Sequence, residues 1–406
     1  MTKLEAMLKY VSEHNDFYKK RISEYGIKNP LDITQWPVLT RKELQENRYN
    51  MFSDGYKAKY YNQLLKRQSS SGSTGVPINV YWDYKDWYAS NMCLWRKRWQ
   101  WYGIKPRERY VIFTLNTYDV KNDGDTIYYG NESKNLLSIN VSLIQKEEAF
   151  DNVINLIEDF QPIWMYVQPF VLKKLINAYK RTNKHPPKSL RYIESVGELL
   201  SPELRRNTIE LFDTCFANMY GSEEMNGISF ENPKHRMEIL HDNVFLETRN
   251  VGENDEFRRG NAVITNLHNR AMPLIRYEQG DVIEPEYGNA GTMEIKRIYG
   301  RKLEVIELSS GEEVSPYSLL EAVSELNNCT KDMVTDFGFV YHKHSNVLEY
   351  IFALSNSAWQ ESVCSLFENI IKRKLNLNIA LKFREYQKSE QGARCGKEKL
   401  IDIQEN

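Results

Sequence analysis

Apolar residues recur at helical intervals from the first residues onward: Leu4, Met7, Leu8 and Val11 predict an amphipathic helix, with Gly26 as its stop. Thr40 and Glu43 stand at capping-box spacing after Pro37-Val38-Leu39, which predicts a second, short helix. From about residue 107 the pattern alternates. Runs rich in β-branched and aromatic residues (Tyr110 to Leu115, Leu136 to Val141, Ile163 to Val167, Tyr192 to Val196, Phe216 to Tyr220) predict strands, and 147–160, 170–181 and 202–212 predict helices. Such alternation is the pattern of an α/β core around a largely parallel sheet. Ser201-Pro202-Glu203 supplies an N-cap, a first-turn proline and an early acid for the last of these helices. Beyond residue 300 the order becomes helix (315–327), two strands (335–342, 347–354), helix (357–374) and strand (378–385), a compact α+β arrangement.

Length turns this pattern into domains. The 406 residues exceed what one core usually holds, so a large domain over 1–301 and a small one over 302–406 are expected. With 54 Lys and Arg against 55 Asp and Glu, the net charge of -1 argues against a general nucleic-acid or membrane-surface binder. The longest apolar runs fall far short of the roughly 20 residues that span a bilayer, and Met1-Thr2-Lys3-Leu4-Glu5 lacks a signal-peptide core. A cytoplasmic location without membrane insertion is expected. The five cysteines are scattered and show no Cys-x-x-Cys spacing, which signals neither a disulfide framework nor a zinc knuckle. Trp82, Trp87, Trp95, Trp99 and Trp101 lie close together. The helical spacing of Trp95, Trp99 and Tyr102 favours core packing over base stacking.

Four stretches carry candidate chemistry. Ser69-Ser70-Ser71-Gly72-Ser73-Thr74-Gly75-Val76-Pro77 combines glycines, which let backbone N–H groups turn inward, with hydroxyl donors, a combination that suits phosphate oxygens. It is not a Walker loop, and a Ser/Gly linker has the same composition. Ala217 to Glu224 ends a predicted strand, where ligands gather in open parallel sheets; Tyr220 can stack on a base and the adjoining carboxylates can hold a hard cation, or the stretch is an ordinary acidic turn. Pro273 to Asp281, followed by Ile298-Tyr299-Gly300-Arg301, offers an aspartate for ribose hydroxyls and arginines for phosphates, with Arg276 equally suited to a buried ion pair. Finally, Arg394-Cys395-Gly396-Lys397 places a lysine on a glycine-hinged loop, or merely in solvent.

In this order and at these separations the motifs resemble the adenylate-forming enzymes, specifically the phenylacetate-coenzyme A ligase-like branch that includes capsule-biosynthesis ligases. The resemblance runs from Phe17-Tyr18 and Pro37 to Lys42, through Ser70 to Pro77, Gly197 to Leu204, Tyr220 to Glu224, Pro273 to Asp281 and Gly300-Arg301, to Gly396-Lys397. It implies a large N-terminal α/β domain, a small mobile α+β C-terminal domain, and ATP-dependent activation of a small carboxylic acid to an acyl-adenylate. The acyl group would then pass to a thiol, on coenzyme A or a carrier protein, or to an amine.

By the same resemblance, Ser70, Ser71, Gly72, Ser73, Thr74 and Gly75 would grip the triphosphate of ATP. Gly197 and Glu198 would border the adenine, with Tyr220 stacked on it beside Gly221 and Ser222. Glu224 would ligate Mg2+, Asp281 would hold the ribose, Arg301 would assist near the hinge, and Lys397 would be the mobile catalytic lysine. A homodimer is compatible with the family. The acid pocket is expected from residues 115–140, Tyr166, Gln168, Met219 and Met225.

The chain also departs from the family pattern. Val76 stands where many relatives have lysine, Glu278-Gln279 replaces Arg-Thr before Gly-Asp, and Lys302-Leu303-Glu304 lacks the hinge aspartates. His235 and His241 have no nearby downstream cysteine, so no structural zinc is expected. These departures keep open a second reading, a nucleotide-binding protein of the same fold with degraded catalysis.

Overall fold

The first apolar stripe folds as two helices rather than one in the computed structural model. Lys3–His14 begins at a capping box between Thr2 and Glu5 and buries Met7, Leu8 and Val11. The break falls at Asn15, a fully buried side chain that accepts the Tyr18 N–H and donates to the carbonyl of Met51 (2.8 Å) and to Ser53 Oγ (3.0 Å). A buried amide must find such partners, so Asn15 leaves the first helix to cap the second, Asp16–Glu24. The Thr40–Glu43 capping box heads Arg41–Asn47 as predicted.

The residues described are all except 70–77, 115–120, 124–125, 131–134, 142–147, 251–258, 288–292, 302–304, 309–312, 331–332, 376–378, 386–399 and 405–406. They divide into two units, Met1–Pro106 with Ala217–Ile298, and Arg107–Phe216 with Tyr299–Asn406.

In the first unit the helices back onto antiparallel strands. Gly260–Asn266 pairs with Val244–Asn250 on one side and Tyr277–Tyr287 on the other, while Asn226–Glu231 pairs with Cys215–Ser222 and Met237–Ile239. These pairings are antiparallel because the strands follow one another without intervening helices, and of them only Cys215–Ser222 overlaps a strand that the sequence predicts. Two long-range ties hold the N-terminal segment to them. The Leu39 N–H donates to the Arg276 carbonyl (2.9 Å) and its own carbonyl accepts from Glu278 N (3.0 Å). The buried Tyr18 hydroxyl donates to the Pro273 carbonyl (2.9 Å) and accepts from Ile275 N (3.0 Å). Trp36, Trp82 and Tyr277 are among the largest fully buried side chains, each contributing about 1.5–3 kcal/mol on burial. The tryptophan-rich stretch is the helix Tyr84–Tyr102, capped by Asp83. Trp101 stacks on Phe230 at 5.6 Å, whereas Trp99 is 61% exposed and so outside the core expected for it.

The second unit keeps the predicted alternation. Leu136–Asn140, Tyr110–Thr114, Trp164–Val167 and Tyr192–Val196 lie side by side and parallel. The helices Ala149–Phe160, Pro169–Thr182 and Pro202–Phe212 alternate with them, the last capped by Ser201 accepting the Leu204 N–H. Residues 299–406 contribute the helices Pro316–Thr330 and Gln360–Leu375 and a four-stranded sheet in the order Ala380–Glu385, Val347–Leu354, Val334–His342, Ile401–Gln404. Their own core gathers Leu319, Val323, Phe339, Tyr350, Phe352 and Phe367. Among the described residues no helix is long and apolar enough to cross a membrane.

Candidate functional site

The strand Lys66–Ser69 leads into the serine-glycine stretch, and Asn79–Trp82 leads out of it. The two pair antiparallel, with Ser69 opposite Asn79. Ser70, Ser71, Gly72, Ser73, Thr74 and Gly75 lie outside the described residues, whereas the strands on either side of them are described. Gln68 Nε2 donates to Glu223 Oε2 (3.0 Å), in the turn after the Tyr220 strand, and to Asn226 Oδ1 (3.3 Å), at the start of the next strand. Asn226 donates onward to Ser90 Oγ (2.9 Å), and Ser90 to Asn243 Oδ1 (2.7 Å). A chain of hydrogen bonds, exposed at Glu223 and buried by Ser90, therefore ties Gln68 to the segment that follows Tyr220.

That turn is tight. A Cβ at Gly221 would run into the backbone carbonyl of Asn226, so only glycine fits the close approach of the two strands. Ser222 Oγ is buried and has no hydrogen-bond partner among the described residues. Glu224 is buried, while Glu223 is exposed and engaged by Gln68.

Tyr220 and Asp281 are brought together. The Tyr220 hydroxyl donates to Asp281 Oδ2 at 2.6 Å, and Gln279 Nε2 donates both to the Tyr220 oxygen (2.5 Å) and to Asp281 Oδ2 (2.6 Å). The strand pattern explains how Asp281 gets there. Asn261 pairs with Val282 and Val263 with Glu278, so Gln279, Gly280 and Asp281 together face Ala262 in a bulge. Bulges re-aim side chains next to functional sites.

The two residues that depart from the family pattern have separate tasks. Gln279 binds the Tyr220–Asp281 pair, whereas Glu278 accepts from Asn261 Nδ2 (2.9 Å) and pairs with Arg249 (3.4 Å). Arg276 takes the structural alternative open to it: its guanidinium pairs with Glu247 (3.0 Å) and donates to the Trp36 carbonyl (2.5 Å). Burial pushes the Glu247 carboxyl above its ordinary range, and the Arg276 charge opposes that shift.

In the second unit, Gly197 follows the strand Tyr192–Val196, and Glu198 accepts the Phe170 N–H (3.2 Å) in the first turn of Pro169–Thr182. The Gln168 side chain does not cap that helix; Glu198 supplies the anion that its N-terminus favours. Arg301 ends the strand Met293–Arg301, next to Gly300. Gly300 sits at φ +103°, and a Cβ there would lie 3.1 Å from Pro316 and 3.3 Å from Leu199, so this end of the strand is packed closely against Leu199, which follows Gly197-Glu198. Lys397 and the Lys302-Leu303-Glu304 stretch lie outside the described residues.

Among the described residues no three His, Cys, Asp or Glu are grouped so as to hold a metal. His235 lies against the buried Glu231 (3.2 Å). Glu231 also accepts the Asn218 N–H (2.8 Å), a contact that props the tyrosine strand from behind. Gln68, Asn226 and Glu231 carry no motif of their own, and only their places beside the motifs could have drawn attention to them.

Comparison with known proteins agrees with the motifs. No protein-family model matches the chain. It is 25% identical over 347 residues to the phenylacetate-coenzyme A ligase of Pseudomonas putida, covering 82% of this chain and 76% of that one. It is 22% identical over 391 residues to the protein CapK of Staphylococcus aureus, covering 94% and 81%. Among solved structures, a 2-hydroxyisobutyryl-CoA ligase bound to 2-HIB-AMP superposes with a TM-score of 0.77 over 99% of this chain and 88% of that one, at 17% identity. In sequence and in fold, the chain is similar over nearly its whole length to the phenylacetate-coenzyme A ligase-like branch of the adenylate-forming enzymes.

Proposed function

We propose that this protein uses ATP to convert a small carboxylic acid into an acyl-adenylate, releasing pyrophosphate, and then passes the acyl group to a thiol. Coenzyme A is the favoured acceptor, because solved relatives of this fold include CoA ligases with acyl-AMP bound; a carrier-protein thiol or an amine is compatible with the same first step. The observation that carries the reading is the Tyr220–Asp281–Gln279 cluster, which joins an aromatic ring to acceptors suited to a nucleoside. Buried polar atoms nearby, Ser222 Oγ and Gln68 Oε1, have no partner among the described residues, as expected where a polar ligand binds.

The chemistry asks for cations. A carboxylate attacking the α-phosphate brings two anions together, and pyrophosphate must leave with its charge neutralised. In this proposal Lys397 supplies positive charge where negative charge develops, and removing such a preorganised donor raises the barrier by about 3 kcal/mol. Mg2+ is typically held by one or two carboxylates plus phosphate oxygens, so the single buried Glu224 fits it without a larger ligand cluster. Bound there, Mg2+ would neutralise the departing pyrophosphate. The roles that the resemblance implies for Ser70 to Gly75, Gly197, Glu198 and Arg301, and the small domain over 302–406, belong to this proposal. So do a cytoplasmic location, a homodimer, and a place in polysaccharide biosynthesis, the last suggested by the name CapK.

ATP–pyrophosphate exchange across a panel of acids tests the reading, with trapped acyl-AMP sought by mass spectrometry after incubation with a metabolite extract. Acid-dependent exchange is expected. Lys397→Ala should slow it by about two orders of magnitude while sparing ATP binding, and Glu224→Gln should raise the magnesium requirement. ATP binding without exchange for any acid would favour the degraded-catalysis alternative.

A further inference from the structure

The amide of Gln279 has only one tenable orientation. The Tyr220 hydroxyl hydrogen goes to Asp281 Oδ2, which leaves the Tyr220 oxygen as an acceptor, and the carboxylate oxygen can only accept. Both therefore require the NH2 end of Gln279, which lies 2.5 and 2.6 Å from them. Reversing the amide would set its carbonyl against the carboxylate and lose both bonds. The Oε1 end consequently points away from the pair, where it is buried and without a hydrogen-bond partner among the described residues. A buried acceptor of this kind calls for a donor.

We propose that Gln279 is a specificity-determining residue that reads the sugar of the bound nucleotide: its Oε1 accepts a hydrogen bond from a ribose hydroxyl, beside Asp281. Asp281 Oδ2 already receives two donors from the protein, so an acceptor on Gln279 lets the two residues divide the hydroxyls of a diol between them. Phosphate oxygens carry no donors and cannot fill this place. The inference rests on the ATP reading given above.

The test compares the binding of ATP, 2′-deoxyATP, 3′-deoxyATP and inosine triphosphate by calorimetry, in wild type and two variants. Gln279→Lys keeps a donor towards Tyr220 and Asp281 but offers no acceptor; Gln279→Met offers neither. Wild type should lose about tenfold in affinity for one deoxy analogue relative to ATP. In both variants that ratio should fall to within about twofold, with the inosine ratio unchanged. If Gln279 only positions its neighbours, Gln279→Lys keeps the wild-type ratio, and the proposal fails. A change confined to the inosine ratio would assign the acceptor to the base and overturn the ribose reading. Melting curves establish that the variants fold, and if Gln279→Met does not, Gln279→Lys decides alone. No ATP binding to wild type would sink the nucleotide reading itself, whereas ATP binding with identical ratios throughout would sink only this inference.

Discussion

The two groups of motif residues are held in place by different means. Around Asp281 the positions are set by side chains: Tyr220, Gln279 and Asp281 hydrogen-bond to one another, and Gln68, Asn226, Ser90 and Asn243 form a second chain beside them. Around Arg301 they are set by backbone and packing, with Gly300 in a conformation closed to other residues and pressed against Pro316 and Leu199. A hydrogen-bonded cluster loses one member locally, because the rest can rearrange or recruit water. A backbone constraint offers no such retreat, since the strain passes into the packed neighbours.

Three substitutions sharpen this contrast. The largest effect on stability is expected from Gly300→Ala, which forces an alanine to φ +103° with its Cβ at the edge of contact with Pro316 and Leu199. A loss of about 2–4 kcal/mol should appear in chemical denaturation, and a change under about 0.5 kcal/mol would refute the backbone argument. Next comes Tyr220→Phe, which deletes one hydroxyl from a network whose Gln279–Asp281 bond survives. Stability should fall by only about 1 kcal/mol while nucleotide affinity drops several-fold. An effect on folding as large as that of Gly300→Ala would erase the distinction between the two regions. The smallest is Glu198→Gln, which keeps an acceptor for the Phe170 N–H but removes the charge from the helix N-terminus. About 0.3–1 kcal/mol should be lost at low salt and less at high salt, and salt-independent destabilisation would show that the helix end does not sense the charge.

Much of the fold is legible in the sequence, and the parts that are not share a physical cause. Between residues 107 and 216 apolar β-branched runs alternate with amphipathic helices, so Tyr192–Val196 and Pro202–Phe212 fall where the pattern puts them. The antiparallel strands of the other unit hide their pattern. Tyr277–Tyr287 reads Tyr-Glu-Gln-Gly-Asp-Val-Ile-Glu-Pro-Glu-Tyr, with a glycine, a proline and four acids in one strand, because it carries the bulge that presents Asp281. The break at Asn15 is equally silent locally, since its reason lies in the carbonyl of Met51.

Of the site, the pairing of Tyr220 with Asp281 follows from motifs that a single nucleotide would bridge. Gln279 lies inside the same motif as Asp281, but only the geometry gives it partners. Arg276 is the converse: a residue inside a motif whose partners, Glu247 and Trp36, make it part of the framework. Glu198 has a task at the helix N-terminus that no local pattern announces.

The stitch between Tyr18 and the Pro273 carbonyl joins residues 255 positions apart. A ribosome delivers the first of these long before the second, so the Tyr18 hydroxyl lacks this partner through most of synthesis. Chaperone demand should therefore concentrate on the N-terminal helices of the nascent chain. Damage to that stitch should show first as poor yield and inclusion bodies, with the molecules that do mature retaining their catalytic constants.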